Sequence, residues 1–465
     1  MRITSLLAAG LLMIWSTTTA GEFAADRLHN WHQWRGPNAN GVATAGDPPV
    51  QWSESTNVQW KVKLPGAGSS TPIVWGDRII LLAAINTNQK PTTVSKVPAS
   101  NLPEASQDRP EQGGDRQRRR GRGGFRHSTA GPTSLYQFVV LCLDRKTGRQ
   151  LWQVVAKEEV PHEGHHPSHG FASASPTTDG KRIFASFGSR GIFCYDMEGT
   201  RQWTRDLGDM RIKVGFGEGS SPVLHGNSLI VNWDHEGDSF IVCLDAETGE
   251  EKWRMPRDEG TTWATPLIVE HAGAHQVITN AQTRTRSYDL STGELIWECG
   301  GQAGNPIPMP VTQNGLAYCM TGFRGYAVYA LPLDAKGDIT EDDKTGWRRT
   351  DTGPYVASPV LVDDLLYFTK ERRGILWCVD AKTGDVRYRD RRLPGIGTLY
   401  ASLTAAAGRI YIAGRDGTTV VVKHGPEYDV LATNQLDEGI DASPVIVGKQ
   451  LLLRGNEHLY CISEE

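Results

Sequence analysis

Four histidines lie within eight residues in the segment His162-Glu163-Gly164-His165-His166-Pro167-Ser168-His169. Imidazole nitrogens are ligands for Zn²⁺, Cu²⁺ and iron, and a bent loop brings residues three or four positions apart together. The segment therefore predicts a metal site built from His162, His165, His166 and His169. The alternative is that these histidines only bond backbone groups, since no cysteine is nearby and short motifs often match by chance.

A second set of candidate residues is an arginine that recurs in short turns containing glycine. Guanidinium groups bind anions through paired hydrogen bonds. If the turns lie together on one face of the protein, several arginines could hold one anionic ligand. One equivalent turn is acidic instead. The candidate ligand-binding residues are Arg190, Arg324, Arg373, Arg415 and Arg454, which face Asp234, His235 and Glu236. The alternative interpretation is that each arginine pairs with a carboxylate of a neighbouring repeat.

The motifs of several common enzyme classes are missing. The sequence has no Gly-x-Ser-x-Gly, phosphate-binding loop or His-Glu-x-x-His motif. Seven cysteines without a Cys-x-x-Cys pair exclude a disulfide scaffold and a zinc knuckle. A net charge of -4 excludes a protein built mainly to neutralise nucleic-acid phosphates. We therefore assign no catalytic residues and predict no nucleic-acid partner.

A repeat must position the candidate residues. The first recurring motif, or mark, of this repeat is an Asp, then a turn containing Gly, then an aromatic residue four positions after that Gly. The Asp and aromatic pairs are Asp144 and Trp152, Asp196 and Trp203, Asp245 and Trp253, Asp289 and Trp297, and Asp380 and Tyr388. Its second mark is a small residue before a Pro, at Pro72, Pro176, Pro222, Pro266, Pro310, Pro359 and Pro444, with Ala401-Ser402-Leu403 lacking the Pro.

The spacing of these marks predicts the fold. After one interval of 104 residues, successive marks are 41 to 49 residues apart, which is room for four short strands each. Eight such units predict an all-β, eight-bladed β-propeller of four-stranded antiparallel blades. Only 21 residues follow Pro444, so we expect the N-terminal strand Val58–Leu64 to complete the last blade and close the ring. The recurring Trp residues are predicted to be wedges between blades.

The repeat, most fully written from Leu244 to Gly249 with Trp253, resembles the PQQ-like repeat of quinoprotein dehydrogenases and of the BamB-like outer-membrane assembly lipoprotein. Residues Trp31 to Pro37 resemble the opening segment of exported planctomycete-type proteins with this repeat. The resemblance implies the propeller fold over residues 57–465 and, for the quinoprotein members, a PQQ cofactor. The adjacent cysteine pair of quinoprotein alcohol dehydrogenases and the anchoring cysteine of the lipoprotein have no counterpart here, so the cofactor stays unknown.

The N-terminus has the features of an export signal. Arg2, the apolar stretch from Leu6 to Trp15 and the small residues before Gly21 predict a signal peptide over residues 1–20, with an uncleaved interfacial anchor as the alternative. No later apolar run reaches about 18 residues, so we expect no transmembrane segment in the mature chain. We expect residues 21–56 to form an N-terminal arm and the protein to be periplasmic or secreted.

The long interval after the first mark contains an insertion, residues 86–134, rich in Arg, Gly and Pro. It carries nine Lys or Arg against four Asp or Glu. We predict a disordered loop between the second and third strands of blade 1. Attachment to an anionic polymer or to the cell envelope is the alternative.

Two functions remain open. In the first, a monomer binds a protein or an anionic polymer of the cell envelope through its top face, which carries the turns between second and third strands and the connections between blades. In the second, the chain is a quinone-dependent or metal-assisted oxidoreductase.

Overall fold

Eight antiparallel sheets surround a central axis in the computed structural model, which describes residues 20–91, 131–342 and 346–464. First strands of neighbouring blades contact each other, so these strands line the axis. Six sheets have four strands, and blades 4 and 7 each have a fifth, short strand. The predicted all-β, eight-bladed propeller is confirmed.

The strands of the first four blades follow one another from the axis outward. They are Ile73–Trp75, Arg78–Asn86, Tyr136–Asp144 and Gln150–Glu159 in blade 1; Thr177–Thr178, Arg182–Ser186, Ile192–Asp196 and Arg201–Arg205 in blade 2; Val223–His225, Ser228–Trp233, Phe240–Asp245 and Glu251–Pro256 in blade 3; and Leu267–His271, Ala274–Thr279, Thr285–Asp289 and Leu295–Cys299 in blade 4, with Gly337–Asp338 added outside.

The other four blades repeat this order. Their strands are Val311–Gln313, Leu316–Thr321, Ala327–Pro332 and Trp347–Arg349 in blade 5; Val360–Val362, Leu365–Thr369, Ile375–Asp380 and Val386–Arg392 in blade 6; Thr404–Ala406, Arg409–Ala413, Thr418–Lys423 and Val430–Gln435 in blade 7, with Val42–Ala43 added inside; and Val445–Val447, Gln450–Arg454, His458–Ile462 and Val58–Lys63 in blade 8.

The outer strand of blade 8 comes from the N-terminal side of the chain. Val58–Lys63 pairs antiparallel with His458–Ile462, and Trp60 lies opposite Cys461. In blade 1, Trp152 lies opposite Cys142 in the same register. The predicted closure of the ring by an N-terminal strand is therefore confirmed.

The small residue before each inner strand belongs to a ring of hydrogen bonds around the axis. We call these eight residues the ring positions: Thr71, Ser175, Ser221, Thr265, Met309, Ser358, Ser402 and Ser443. In seven of the eight steps, the backbone N–H of one ring position donates to the hydroxyl of the next, at 2.9 to 3.1 Å. The missing step leads to Met309, which has no hydroxyl. The recurring Ser or Thr before Pro is therefore what ties each inner strand to its neighbour.

The Trp residues join neighbouring blades on the other face. The indole of Trp203 donates to the carbonyl of Ala246 at 3.1 Å, and its ring lies on Gly249, where an added Cβ would come within 2.7 Å of it. The same bond, to the residue after the turn Asp of the next blade, is made by Trp60, Trp152, Trp253 and Trp347. These contacts confirm the prediction that the recurring Trp residues pack as wedges between neighbouring blades.

Blade 4 departs from this pattern. Trp297 is fully buried, but its indole donates to the Gln276 side chain of its own blade at 3.3 Å. Gln276 in turn donates to the Leu333 carbonyl of blade 5 at 2.8 Å. In place of the short Asp-Gly turn, blade 5 has a longer connection after Pro332, in which Gly337–Asp338 pairs in parallel with Trp297 and Glu298.

The segment before Val58 crosses the axis beneath the ring. It contains the helix Ala20–Asp26 and the 3-10 turn Arg27–His29; two further 3-10 turns are Gly188–Arg190 and Lys213–Gly215. Trp31 exchanges backbone hydrogen bonds with Val74 of blade 1. Val42–Ala43 then pairs in parallel with the inner strand of blade 7. The arm therefore runs from blade 1, beneath the ring, to blade 7.

Two sequence predictions fall mostly outside the described residues. The predicted signal peptide, residues 1–20, lies outside them except for Ala20, and so does the insertion over residues 92–130. All seven cysteines are buried and free, as expected for core residues. Within the described residues, no helix is long and apolar enough to cross a membrane.

Candidate functional site

A cavity of about 220 Å³ lies on the axis above the ring. In every blade the residue two before the ring position faces it, because side chains alternate along an extended chain. We call these the axial positions: Ser69, Ser173, Gly219, Trp263, Ile307, Val356, Tyr400 and Asp441. All eight blades therefore contribute to this central cavity, which we take as the candidate site.

The N-terminal arm forms the floor of the central cavity. Trp34 lines it, and its indole donates to the hydroxyl of Ser443 at 3.3 Å. The next residue, Arg35, is buried and donates to the carbonyls of Leu403 at 2.8 Å and Pro359 at 2.6 Å. Burial lowers the pKa of Arg35 to about 9. Trp34 is thus held by bonds to blades 6, 7 and 8.

The histidine-rich segment crosses the mouth of this cavity. It belongs to the connection from blade 1 to blade 2, and His166, Ser168 and His169 line the cavity. The Ser168 hydroxyl lies 3.3 Å from that of Tyr400, which belongs to the connection from blade 6 to blade 7. The segment therefore spans the mouth from one side of the ring to the other.

The four histidines of that segment do not converge on one point. The ring nitrogens bond separate protein groups: His162 the Met210 carbonyl, His165 the His166 carbonyl, His166 the Ser168 hydroxyl, and His169 the Glu218 carbonyl and the Ser173 hydroxyl. Burial lowers the pKa of His169 to about 4. Among the described residues, no group of three or more His, Cys, Asp or Glu is arranged to hold a metal ion. This geometry matches the alternative interpretation, in which the histidines bond protein groups.

The top-face loops of blades 2 to 4, residues 187–191, 234–239 and 257–266, form what we call the closed half. At its centre, the side chains of Asp234 and Arg257 are fully buried and paired, with Nε–Oδ1 at 2.7 Å and Nη2–Oδ2 at 3.1 Å. Thr262 and Asn232 also donate to Asp234. Burial alone would lower the pKa of Arg257, but Asp234 raises it, so the guanidinium keeps its proton.

The other predicted residues of the closed half are engaged in the same way. Glu236 accepts from the backbone and hydroxyl of Thr261, and His235 is buried and accepts from the Arg211 backbone. Arg190 is buried and bonds Glu218 at 2.7 Å. The predicted Asp234, His235 and Arg190 therefore hold loops together beneath the surface, whereas Glu236 bonds Thr261 from an exposed position.

The top-face loops of blades 5 to 7, residues 322–326, 352–357, 370–374 and 396–401, form the open half. Arg324 is exposed and stacks over Phe323, whose ring in turn stacks on Tyr355 at 4.8 Å. Arg373 is exposed and lies 3.1 Å from Glu371. Two of the predicted arginines thus reach solvent, Arg324 beside an aromatic ring and Arg373 beside a carboxylate.

Arg372 connects the open half to the central cavity. It is exposed, lines the cavity and donates to the Tyr400 hydroxyl at 3.4 Å. On the other side of Tyr400, Arg415 lies 4.2 Å from the ring centroid and makes a two-bond pair with Asp441. Burial would lower the pKa of Arg415, but the Asp441 bond raises it. The carboxylate of Asp441 is therefore neutralised by its partner.

Arg454 lies at the predicted turn between the second and third strands of blade 8, but its side chain is buried. It ends a strand of blade 8 and is 1% exposed, with Nη1 donating to the backbone and hydroxyl of Ser70. Burial lowers its pKa to about 9. It does not line the central cavity, so the five arginines do not form one anion site.

The lining of the central cavity does not fit PQQ. That cofactor is a planar tricarboxylate, and Arg372 is the only Lys or Arg among the described lining residues. The cavity is also smaller than the roughly 300–1,000 Å³ of typical cofactor pockets. The chain has no adjacent cysteine pair. We therefore derive no quinone chemistry from this site.

Sequence reasoning missed Trp34, Trp263, Tyr355, Arg372 and Tyr400. The axial positions carry a usable signal, since each lies three residues before the recurring Pro or its equivalent. Trp34 belongs to the arm, whose course across the axis no repeat reveals.

Comparison with known proteins agrees with this architecture. The family model described as outer membrane protein assembly factor BamB matches residues 137–390, more than half of the chain. No curated protein matches.

The chain is similar to many solved structures, among them the following three. BamB from Moraxella catarrhalis has 14% identity and a TM-score of 0.49, covering 72% of this chain and 90% of its own. Quinohemoprotein alcohol dehydrogenase from Comamonas testosteroni has 12% identity and a TM-score of 0.61, covering 96% and 82%. The computationally designed Ika8 protein has 11% identity and a TM-score of 0.52, covering 71% and 93%.

At these identities the solved structures show the fold alone. The repeat pattern, the eight blades and the family match together establish that this chain belongs to the PQQ-like repeat family described as outer membrane protein assembly factor BamB.

Proposed function

We propose that the chain is a binding module that holds an anionic polymer or protein of the cell envelope on its open half. The observation that carries this proposal is the exposure of Arg324, Arg372 and Arg373 on the open half, where Arg372 lines the central cavity beside Tyr400 and Arg324 stacks over Phe323. Guanidinium groups bind carboxylates and phosphates through two parallel hydrogen bonds, and aromatic rings add contact area at little entropic cost.

The closed half is a poor surface for such a partner. The buried charges of Asp234, Arg257 and Arg190 are already paired beneath its loops, and opening the Asp234–Arg257 pair would leave a buried charge without a partner. That change costs about 3–5 kcal/mol, more than a new surface contact returns.

The family match supports a binding role outside the cytoplasm. Its description names an assembly factor of the outer membrane, and the export signal predicted over residues 1–20 agrees with that location. We propose a periplasmic or secreted monomer. The lining of the central cavity gives no support to the alternative, a quinone-dependent or metal-assisted oxidoreductase.

The test is retention of the full chain on immobilised polygalacturonate and on immobilised polyglutamate. We expect retention of the natural protein on at least one of them. The double variant Arg324→Gln/Arg373→Gln should bind about thirtyfold more weakly, because it loses two charge contacts worth about 1 kcal/mol each in water.

The matched control is Arg149→Gln/Arg201→Gln, which removes two exposed arginines at turns on the opposite face. It should bind within twofold of the natural protein. Absence of retention on both polymers, or equal loss in the two double variants, would contradict the proposal.

A further inference from the structure

The central cavity is closed below, so a ligand enters it from the top face. Trp34 forms the floor, and the bonds of Arg35 to two backbone carbonyls hold it there. The His166–His169 segment narrows the mouth by its contact with Tyr400. A volume of about 220 Å³ has room for one ring-sized group. The cavity therefore suits the end of a chain better than its middle.

The walls combine aromatic faces with hydrogen-bonding groups. Trp34, Trp263, Phe216, Tyr355 and Tyr400 supply the rings. The indole of Trp263 donates to the Gly217 carbonyl at 2.7 Å, so the orientation of that ring is fixed. Hydroxyl, imidazole and carboxylate groups lie between the rings, at Ser168, Ser173, His166, His169 and Asp441. Both ring nitrogens of His169 and the Nδ1 of His166 already bond protein groups, so the hydroxyl and carboxylate oxygens, which have further lone pairs, are the acceptors that the walls offer to a ligand.

A pyranose ring matches such walls. Its C–H face packs on an aromatic ring, while its hydroxyls exchange hydrogen bonds with the wall hydroxyls and donate to carboxylate oxygens. Arg372 lies at the mouth, and within the described residues no carboxylate forms an ion pair with it. Since Asp441 is already neutralised by Arg415, a carboxylate on the sugar would meet a positively charged mouth.

We infer that the central cavity binds the terminal uronic-acid residue of an acidic polysaccharide, with the rest of the polymer passing over the open half. The inference rests on the proposed function and narrows it to one partner class. The sugar ring stacks against Trp263 or Trp34, and its carboxylate bonds Arg372. The exposed Arg324 and Arg373 then contact the following sugars.

The test is calorimetric titration of the full chain with digalacturonate. Binding at one site per chain is expected, while the neutral galactose disaccharide and triglutamate should bind at least tenfold more weakly. Arg372→Gln, an exchange of an exposed side chain, should weaken digalacturonate binding at least tenfold. Arg149→Gln on the opposite face should change it less than twofold.

A second variant tests the cavity without changing any charge. Ile307→Trp fills an axial position and should abolish digalacturonate binding. Leu295→Trp, at an exposed site on the outer strand of blade 4, is the matched control and should leave binding unchanged. Thermal unfolding of both variants checks that they fold.

Three results would overturn the inference: no binding of digalacturonate, unchanged binding in both Arg372→Gln and Ile307→Trp, or equal binding of triglutamate. The proposed function is judged separately. If polygalacturonate is retained through Arg324 and Arg373 while digalacturonate does not bind, the surface role stands and the cavity role fails.

Discussion

The closed and open halves occupy equivalent places in the same repeat, yet they treat charge in opposite ways. In the closed half, Asp234 and Arg257 are paired beneath the surface, and Arg190 bonds Glu218 there as well. In the open half, Arg324 and Arg373 extend into solvent. The difference shows that a repeat fixes where a loop lies, while the connections decide whether its charges stabilise the ring or remain available to a partner.

The largest expected effect comes from removing one carboxylate in each half. Asp234→Ala leaves Arg257 buried without its partner and should lower the free energy of unfolding by about 3–5 kcal/mol. Glu371→Ala removes the partner of the solvent-exposed Arg373 and should cost about 1 kcal/mol or less. Urea unfolding of both variants measures the difference, and equal losses would remove the distinction between the halves.

A smaller effect is expected beneath the ring, where the arm passes from one half to the other. His32 is buried against blade 2, and burial, with a smaller contribution from Arg27, lowers its pKa to about 3. The unfolded chain takes up this proton below about pH 6.5, whereas the folded chain does so only near pH 3. The buried, neutral His32 therefore costs the folded state no stability at pH values above about 6.5. As the pH falls below that value, the free energy of unfolding decreases.

At pH 5 this loss amounts to about 2 kcal/mol. His32→Gln should therefore lose about 2 kcal/mol less stability than the natural protein between pH 7 and pH 5. Arg35, beneath blades 6 and 7, stays charged over this range and contributes no such change. Urea unfolding at the two pH values gives the comparison, and parallel curves would show that His32 titrates normally.

The smallest effect should be the same in both halves. Ser221→Ala and Ser402→Ala each remove one hydroxyl acceptor from the ring, leaving a buried backbone N–H without its bond. Each should cost about 1 kcal/mol. Thermal unfolding of both variants tests this. A clear difference between them would show that the hydrogen-bond ring also differs between the closed and the open half.

The sequence predicts the ring well because its marks are local. The Ser or Thr before Pro and the Asp-Gly turn are each defined by a few neighbouring residues. The number of times that they recur gives the number of blades. Trp347 escapes this reasoning because the connection before it is longer than the usual turn. The role of Met309 as the gap in the hydrogen-bond ring becomes visible only when its neighbours are placed.

The candidate site is harder to predict because its contacts join distant segments. Arg190 meets Glu218 and Arg257 meets Asp234 through connections whose paths spacing does not encode. The sequence therefore identifies the recurring arginines but cannot separate those that are paired from those that are exposed. The axial positions could have been found from the repeat, since they lie two residues before each ring position.

The most direct test of the open half is amide hydrogen exchange of the full chain with and without polygalacturonate. The account predicts slower exchange on binding in residues 322–326 and 370–374, with no change in residues 234–239 of the closed half. Slower exchange confined to the closed half, or to the Asp-Gly turns on the opposite face, would contradict it.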